Sequence, residues 1–314
     1  MASLKDIKRH IVAVRQTQKL TKAMNMVAAA KLRATQGRAE LFRHYADEFA
    51  RLTAEIGRRS EADILNVLKC DPQATKALIL VVTSERGLCG SFNSTLLART
   101  DKLISSLRLQ GLEPELYILG RKGYDYYKRR RVTILDAEIG IMGNFDYVKV
   151  REVTDKLIAS FTKIDGYKEI YVISTKFESL HGHPVTTDSF LPLSVGDIPG
   201  TRKEESLAPA ALPADGGAPR GENDAISKLD YFVEPEAAEL LARLIPRALS
   251  IKIYRALVES VTSENAARMQ AMDNATKSCK DIIESLTMAY NKARQASVTN
   301  ELLDIVNGAE ALKG

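Results

Sequence analysis

The stretch that decides the fold is residues 246–308, PRALSIKIYRALVESVTSENAARMQAMDNATKSCKDIIESLTMAYNKARQASVTNELLDIVNG, which contains no proline or glycine between its first and last residues. Two registers of mostly apolar positions repeat every seven residues. One comprises Ile251, Val258, Asn265, Met272, Cys279, Leu286, Ala293, Asn300 and Asn307. The other comprises Tyr254, Val261, Arg268, Ala275, Ile282, Ala289, Ala296 and Leu303. This spacing predicts a coiled-coil helix about 90 Å long, which needs a partner to bury its apolar stripe.

The N-terminal segment has the same spacing. Its first register comprises Leu4, Ile11, Gln18, Asn25, Leu32, Ala39 and Ala46. Its second comprises Ile7, Val14, Thr21, Ala28, Thr35, Phe42, Phe49 and Ile56. We therefore predict an intramolecular coiled coil between the two ends of the chain, with the middle carried as an insertion. We favour an antiparallel pairing, because the insertion then leaves and rejoins the rod at the same end.

Polar residues interrupt both predicted seams: Gln18, Thr21 and Asn25 in one, Asn265 and Arg268 in the other. Polar seam residues reduce stability and fix the register. A second interpretation is that the two helices separate at this level, or that these residues face another protein.

Charge is distributed unevenly along the chain. The net charge is +5, but residues 1–43 contain ten lysines and arginines against Asp6 and Glu40, a local charge of +8. Such a helix favours an acidic partner, which could be nucleic acid, anionic lipid or an acidic protein loop. The alternative is a solvated face that is merely basic.

The three cysteines, Cys70, Cys89 and Cys279, are odd in number and lack the spacing of metal ligands. They favour a reducing compartment and no disulfide framework. The first residues, MASLKDIKRH, predict no signal peptide, and no apolar run reaches the ~18 residues that a membrane span requires.

Between the two helical patterns, short apolar runs alternate with helical ones. We predict strands at 77–83, 115–119, 132–136, 169–175 and 185–193, and helices at 94–109, 124–129 and 147–164. Asn93 or Ser94 is the expected N-cap of the first of these helices. The alternation predicts a Rossmann-like α/β domain with a mainly parallel sheet.

The loop Arg86-Gly87-Leu88-Cys89-Gly90 lies where a phosphate-binding loop would lie, between a strand and a helix. It matches neither glycine-rich fingerprint and has no lysine after its second glycine. A structural turn is therefore the preferred interpretation. Cys89 as a nucleophile, with His181 or His183 as base, lacks a third orienting residue. We expect no catalytic residue, no bound cofactor and no metal ligand.

The remaining segments complete a four-part division. Residues 1–57 form the N-terminal coiled-coil helix and 75–198 the α/β domain. Residues 199–227, rich in alanine, proline and glycine, predict a flexible insertion. Residues 228–314 hold a contact segment, a few helical turns at 236–245, and the C-terminal coiled-coil helix. Pro246 should mark a kink or a fresh helix start.

Several motifs resemble the gamma subunits of F-type ATP synthases. They span nearly the whole chain in the right order. They are KDI at 5–7, TQKLTKAMNMVAA at 17–29, RGLCG at 86–90, LPL at 191–193, SENAARMQAM at 263–272 and YNKARQASVT at 290–299.

This resemblance implies a role as the central rotor shaft, which transmits torque between the membrane c-ring and the catalytic ring of alpha and beta subunits and regulates ATPase activity and proton flow. The foot would sit with the epsilon subunit on the c-ring, so that the membrane is contacted through the c-ring only. Catalysis would belong to the beta subunits. The expected location is peripheral, at the cytoplasmic face of the bacterial inner membrane.

The resemblance also implies partner-contact residues. Met24 would face the acidic lever of a beta subunit. The surface used for coupling and ring contact would comprise Arg268, Arg294, Gln295, Thr299 and Glu301. The apolar tip inside the ring would comprise Val298, Leu302, Leu303, Ile305 and Val306. Tyr231 and Glu234 belong to a segment that the family places on the c-ring, in which Val233 replaces a common aromatic residue.

The chain departs from the family pattern at two places. The 199–227 insertion is longer than in most bacterial relatives and contains no cysteine, so the dithiol switch of chloroplast relatives does not carry over. Ser91 stands where relatives often have glycine.

Two other functions compete with the rotor shaft. A nucleotide-dependent enzyme lacks the phosphate-loop lysine. A basic coiled-coil adaptor for nucleic acid lacks base-stacking aromatic residues in residues 1–41. We therefore expect no nucleic-acid partner.

Overall fold

In the computed structural model, a five-stranded domain is inserted in the sequence between two long helices. The structure describes residues 4–58, 74–143, 146–163, 166–180, 182–192 and 237–311. The helices are α1 (Leu4–Arg58), α2 (Phe92–Leu109), α3 (Arg121–Tyr127), α4 (Tyr147–Phe161) and α5 (Ala237–Ala311). The strands are β1 (Lys76–Val82), β2 (Glu113–Leu119), β3 (Thr133–Glu138), β4 (Tyr167–Thr175) and β5 (Val185–Leu191). A short 3-10 helix spans Ile141–Gly143. The predicted insertion at 199–227 lies outside the described residues.

The sheet has the order β3-β2-β1-β4-β5. Its first four strands run parallel, and β5 pairs antiparallel with β4. The predicted α/β domain with a mainly parallel sheet is therefore confirmed. Hereafter this domain, residues 74–192, is called the foot.

Alternate residues of each central strand face opposite layers of the foot. Ala77, Ile79 and Val81 pack with α2 and α3, whereas Leu78 and Leu80 pack with α4 and α5. All five side chains are fully buried. A strand buried on both faces reads as a continuous apolar run, which is why β1 was recognisable from sequence.

The expected N-cap of α2 was wrong. The helix begins at Phe92, with Ser91 at the cap position and no side-chain capping bond. The side chain of Asn93 is engaged elsewhere, because its Oδ1 accepts the backbone N–H of Ser84 at 3.1 Å. Asn93 therefore ties the preceding loop to the helix instead of capping it.

Helices α1 and α5 pair antiparallel along most of α1. The Oγ1 atoms of Thr21 and Thr276 lie 2.8 Å apart, and the rings of Phe42 and Tyr254 lie 4.3 Å apart between centroids. Residue numbers thus rise on one helix as they fall on the other, which confirms the predicted antiparallel coiled coil. The pair is called the axle below.

The polar seam residues fix the register rather than separate the helices. The Thr21–Thr276 hydrogen bond crosses the seam, and Asn25 Nδ2 donates to the carbonyl of Met269 at 2.8 Å. Asn265 bonds within its own helix, to the carbonyl of Val261. Of the two interpretations offered by the sequence, the structure supports the first at this level.

The predicted seam of α5 is correct in its first register up to Ala293 but wrong in the upper part of its second. Ile282 is 45 % exposed, and Ala289 is exposed as well. The half-buried positions are instead Ile283 and Tyr290. Thr276, Ile283 and Tyr290 are half-buried and also repeat every seven residues, so the heptad period is kept and the second register lies one position later than the sequence assigned it.

The end of α5 projects beyond the axle. Since Thr21 pairs with Thr276, Leu4 falls beside about residue 293, and the last eighteen helical residues, 294–311, extend past the described start of α1. At 1.5 Å per residue this projection is about 27 Å long. The upper seam positions assigned from sequence, Ala296, Asn300, Leu303 and Asn307, are accordingly exposed.

Pro246 neither breaks nor starts a helix. It lies inside α5, which begins at Ala237 and continues unbroken to Ala311. A proline inside a helix costs roughly 3 kcal/mol. Burial of the neighbouring Ile245 and Leu249 against the sheet, at 2 % and 1 % exposure, offsets that cost. Within the described ranges, no helix has the length and apolarity needed to cross a bilayer.

Candidate functional site: the foot–axle junction and the axle tip

Helix α5 belongs to the foot and to the axle at once. Its lower part contributes Ile245, Leu249, Ile253 and Leu257, each 2 % exposed or less, to the core of the foot. Its next turns pair with α1 through Phe42 and Tyr254. Because a close-packed core does not shear easily, the foot and the axle are expected to move as one rigid body.

The crevice that binds ligands in many open α/β folds is filled by α5. Such ligands lie beyond the carboxyl ends of the strands, where the strand order reverses, which is between β1 and β4 in this sheet. Here the backbone N–H of Thr175, at the end of β4, donates to Ser260 Oγ of α5 at 3.2 Å. In this chain, α5 therefore attaches to the foot at the crevice where other open α/β folds bind their ligands.

The RGLCG loop is the second attachment. The Arg268 guanidinium of α5 donates to the carbonyls of Arg86 and Gly87, both at 3.3 Å. Gly90 has a φ of +59°, and a Cβ at this position would lie 3.8 Å from the Cβ of Ala271. The loop is therefore a structural turn fitted to α5, as the sequence predicted.

Arg268 also forms a buried ion pair. Its Nη2 lies 2.7 Å from Oε1 of Glu264, one turn earlier, and the two side chains are 15 % and 9 % exposed. Burial raises the pKa of the Glu264 carboxyl, and the Arg268 charge opposes that rise. The sequence predicted Arg268 as a partner-contact residue, which stays a prediction; within the chain, its contacts join the axle to the foot.

Cys89 lies inside the same loop and is 2 % exposed. Asn93 Nδ2 donates to its Sγ at 3.2 Å, and burial raises the pKa of its thiol. A raised thiol pKa disfavours the thiolate that nucleophilic catalysis requires. His183 stacks on Phe177, and His181 lies outside the described residues.

A cavity of about 580 Å³ opens beside the loop, between α1, the carboxyl ends of the strands and α5. The carboxylates of Glu85 and Glu264 line this cavity. Glu85 accepts the backbone N–H groups of Arg121 and Gly140 at 3.2 and 2.7 Å. Five cations line this basic cleft: Lys31, Arg38, Arg86, Arg121 and Arg268. Sequence reasoning recognised the basic charge of α1 but missed the cleft, because its cations come from four separate segments.

The other predicted contact residues fall into three groups. Met24 is half-buried on α1, one position before Asn25 of the seam. Tyr231 and Glu234 lie outside the described residues. The third group is exposed on the projecting end of α5, called the tip: Arg294, Gln295, Thr299, Glu301, Leu302 and Val306. The structure thus brings the third group together and places Met24 and Arg268 lower on the axle.

Large apolar side chains on the tip are exposed to solvent. The exposed fraction is 50 % for Val298, 57 % for Leu302, 53 % for Leu303, 67 % for Ile305 and 54 % for Val306. An exposed cluster of this kind marks a surface that another molecule covers.

A family model described as ATP synthase matches residues 3–312. The ATP synthase gamma chain of Nitratidesulfovibrio vulgaris (strain DSM 19637 / Miyazaki F) is 39 % identical over 314 residues, which cover all of both chains. The ATP synthase gamma chain of Maridesulfovibrio salexigens is 36 % identical, again over the full length of both.

Solved structures of mitochondrial ATP synthases share the fold. A chain in the OSCP/F1/c-ring structure from Euglena gracilis superposes with a TM-score of 0.63 at 14 % identity, with 98 % of this chain and 94 % of that one covered. A chain of the central stalk/c-ring structure from Tetrahymena thermophila gives a TM-score of 0.57 at 24 % identity, with 82 % and 99 % covered.

Proposed function

Because the chain belongs to the ATP synthase gamma-chain family, we propose that it is the central rotor shaft of an F-type ATP synthase. In this role it carries torque between the membrane c-ring and the catalytic ring of alpha and beta subunits. It performs no chemistry itself, since catalysis belongs to the beta subunits, and it regulates ATPase activity and proton flow through its angle. The observation that carries the proposal is the continuity of α5, one helix that is core in the foot and half of the axle.

A shaft that transmits torque has to be stiff in its lower part, and its upper end has to rotate without forming fixed directional contacts. The paired helices and the attachments at Ser260 and Arg268 supply stiffness. The tip presents exposed apolar side chains such as Leu302 and Val306. Apolar contact is non-directional, so a tip of this composition turns inside an apolar bearing without breaking directional bonds at each angle.

The basic face of α1 and the basic cleft fit an acidic lever on a surrounding beta subunit. Attraction between a basic surface and an acidic segment guides the two into contact and does not require one fixed geometry. We propose that Met24 lies at this contact. We further propose that Arg294, Gln295, Thr299 and Glu301 meet the ring near the tip, and that Arg268 couples the foot to the axle.

The foot lies at the opposite end from the tip. We propose that it rests with the epsilon subunit on the c-ring, through the segment that contains Tyr231 and Glu234. The complex would then lie at the cytoplasmic face of the bacterial inner membrane, with this chain held there peripherally.

Co-purification tests the proposal directly. The full chain, carrying an affinity tag and expressed in its own host, is expected to bring down alpha, beta and epsilon subunits together with ATPase activity. Recovery of the chain alone, or of a chain that binds nucleotide without these subunits, would contradict the rotor assignment and favour a nucleotide-dependent protein.

The substitution Met24→Lys is expected to leave folding intact and to lower the coupling between ATP hydrolysis and proton pumping. It adds a cation facing an acidic lever, and one extra charge at contact distance changes the contact free energy by about 1 kcal/mol in water. The measurement is proton uptake per ATP hydrolysed in membrane vesicles. Met26→Lys is the matched control, because Met26 is 60 % exposed on another face of α1. If the Met24 variant and the parent take up equal numbers of protons per ATP hydrolysed, the proposed contact of Met24 with the acidic lever is wrong.

A further inference from the structure

The foot has a defined upper and lower side. The carboxyl ends of its strands face the axle, since Thr175 meets Ser260 and the loop after β1 meets Arg268. The amino ends of the parallel strands therefore point away from the tip. At this lower side lie the end of α2 and the segment that connects α3 to β3.

Five cations come from two neighbouring segments of this lower side, which also holds the exposed carboxylate of Glu113. Residues 128–131 read Lys-Arg-Arg-Arg, and all four are exposed. Arg108, at the end of α2, is also exposed, and its Nη2 donates to the carbonyl of Arg131 at 3.1 Å. This hydrogen bond holds the two segments side by side. Residues 108–109 and 128–131 are called the lower-edge patch below.

One large apolar residue stands among these cations. Leu109 is 90 % exposed, the highest value among the exposed large apolar side chains of the described residues. Leu109 directly follows Arg108, and an exposed leucine next to long cationic side chains is typical of a surface that lies in the headgroup region of a membrane. There the cations meet phosphates while the apolar side chain reaches the acyl boundary.

Not every cation of the patch is free to bind a ligand. Arg130 pairs with Asp101 at 3.2 Å and stacks 4.0 Å from the centre of the Tyr126 ring. It therefore fixes the segment to α2 and α3. Arg108 is engaged with the Arg131 carbonyl, and Lys128 Nζ lies 5.6 Å from the centre of the Tyr124 ring. The side chains of Lys128, Arg129 and Arg131 form no ion pair among the described residues.

We propose that the lower-edge patch rests on anionic lipid headgroups beside the c-ring. The inference depends on the proposed function, which directs the lower side of the foot toward the membrane. It adds a lipid contact to the c-ring contact that the family resemblance implies. A fluid leaflet attracts the patch equally at every angle, so the contact anchors the rotor without resisting its rotation. Each lysine or arginine near such a surface contributes to binding, and salt weakens it.

Vesicle flotation of the full chain tests the charge requirement. The chain is expected to bind vesicles of phosphatidylcholine with added phosphatidylglycerol, and to bind pure phosphatidylcholine vesicles far less. The triple variant Lys128→Glu, Arg129→Glu, Arg131→Glu is expected to lose about tenfold or more in partitioning. The matched control carries Lys8→Glu, Arg9→Glu and Arg15→Glu on the exposed face of α1, with the same change in net charge. A larger loss in the control, or binding that ignores lipid charge, would overturn the proposal.

A fluorescent reporter tests the position of Leu109. The chain contains no tryptophan, so Leu109→Trp introduces a single indole. Its emission is expected to shift to the blue on addition of anionic vesicles. Leu41→Trp is the control, because Leu41 is 80 % exposed on α1. A shift at position 41 with none at 109 would place the membrane contact elsewhere, and no shift at either position would remove it.

The proposal can fail without the rotor assignment failing. The triple variant is expected to co-purify with alpha, beta and epsilon subunits, and the complex it forms is expected to keep the ATPase activity of the parent complex. If the parent chain binds no vesicles and the triple variant no longer co-purifies with the c-ring, the patch contacts protein and the lipid proposal is wrong.

Discussion

Replacing Arg268 with methionine is expected to lower the free energy of unfolding by about 3 kcal/mol. The change leaves Glu264 buried without its partner, and a broken buried ion pair typically costs 3–5 kcal/mol. It also removes both hydrogen bonds that fasten the carbonyls of Arg86 and Gly87 to α5. The measurement is urea unfolding of the full chain, followed by circular dichroism.

The double variant Arg268→Met, Glu264→Gln separates the charge from the packing. It removes the unpaired carboxylate and is expected to recover a large part of the loss. A double variant as unstable as the single one would show that the loop contacts, and not the ion pair, carry the effect.

The loss in the Arg268 variant should depend on pH. Burial already raises the pKa of Glu264 above its ordinary value, and removal of the opposing Arg268 charge raises it further. A carboxyl whose folded-state pKa is raised favours folding below its unfolded pKa, and that contribution disappears as the pH rises through the folded pKa. The single variant is therefore expected to be closer to the parent in stability at acidic pH than at neutral pH, and an inverted trend would contradict the burial of Glu264.

The substitution Gly120→Ala is expected to destabilise the foot by several kcal/mol. Gly120 follows β2 with a φ of +99°, and a Cβ at this position would lie 2.1 Å from the backbone oxygen of Thr83. Thr83 cannot retreat, because its N–H donates to the carbonyl of Leu119 and its Oγ1 accepts the N–H of Gly123. Thermal unfolding of the full chain measures the effect.

Gly140→Ala is the matched control for this substitution. Gly140 has a φ of +95°, but a Cβ there would meet no atom within 4 Å. Its substitution carries only the strain of a left-handed backbone, about 1–3 kcal/mol. Equal losses at the two positions would show that backbone strain alone decides, and that β1 and β2 are not as closely joined as the structure has them.

Local periodicity predicted the axle well, because one apolar stripe on each helix has to meet the other. Above Ala275 it placed the second register of α5 one position too early, since the half-buried residues there are Ile283 and Tyr290. It did not predict that α5 begins before Pro246 and continues through it, since burial of the adjacent side chains against the sheet is a tertiary effect that no local pattern contains.

The contact residues were harder to predict than the fold. The tip residues share one stretch of sequence, and their exposure follows from the length difference between α1 and α5. The basic cleft is lined by Lys31 of α1 and Arg121 of the foot, and Arg268 pairs with Glu264 beside it. Both depend on how the foot docks on α5, a three-dimensional arrangement that spacing along the chain does not encode.

The most direct test of an axle in which α1 and α5 turn as one body is a disulfide between them. Thr21→Cys and Thr276→Cys, in a chain whose native cysteines are alanines, replace side chains whose oxygens lie 2.8 Å apart. Oxidation is expected to link the helices almost completely and to leave ATP hydrolysis by the assembled complex unchanged, whereas Thr21→Cys with Lys277→Cys should link poorly. Failure of the first pair to link, or a link that stops hydrolysis, would contradict the axle.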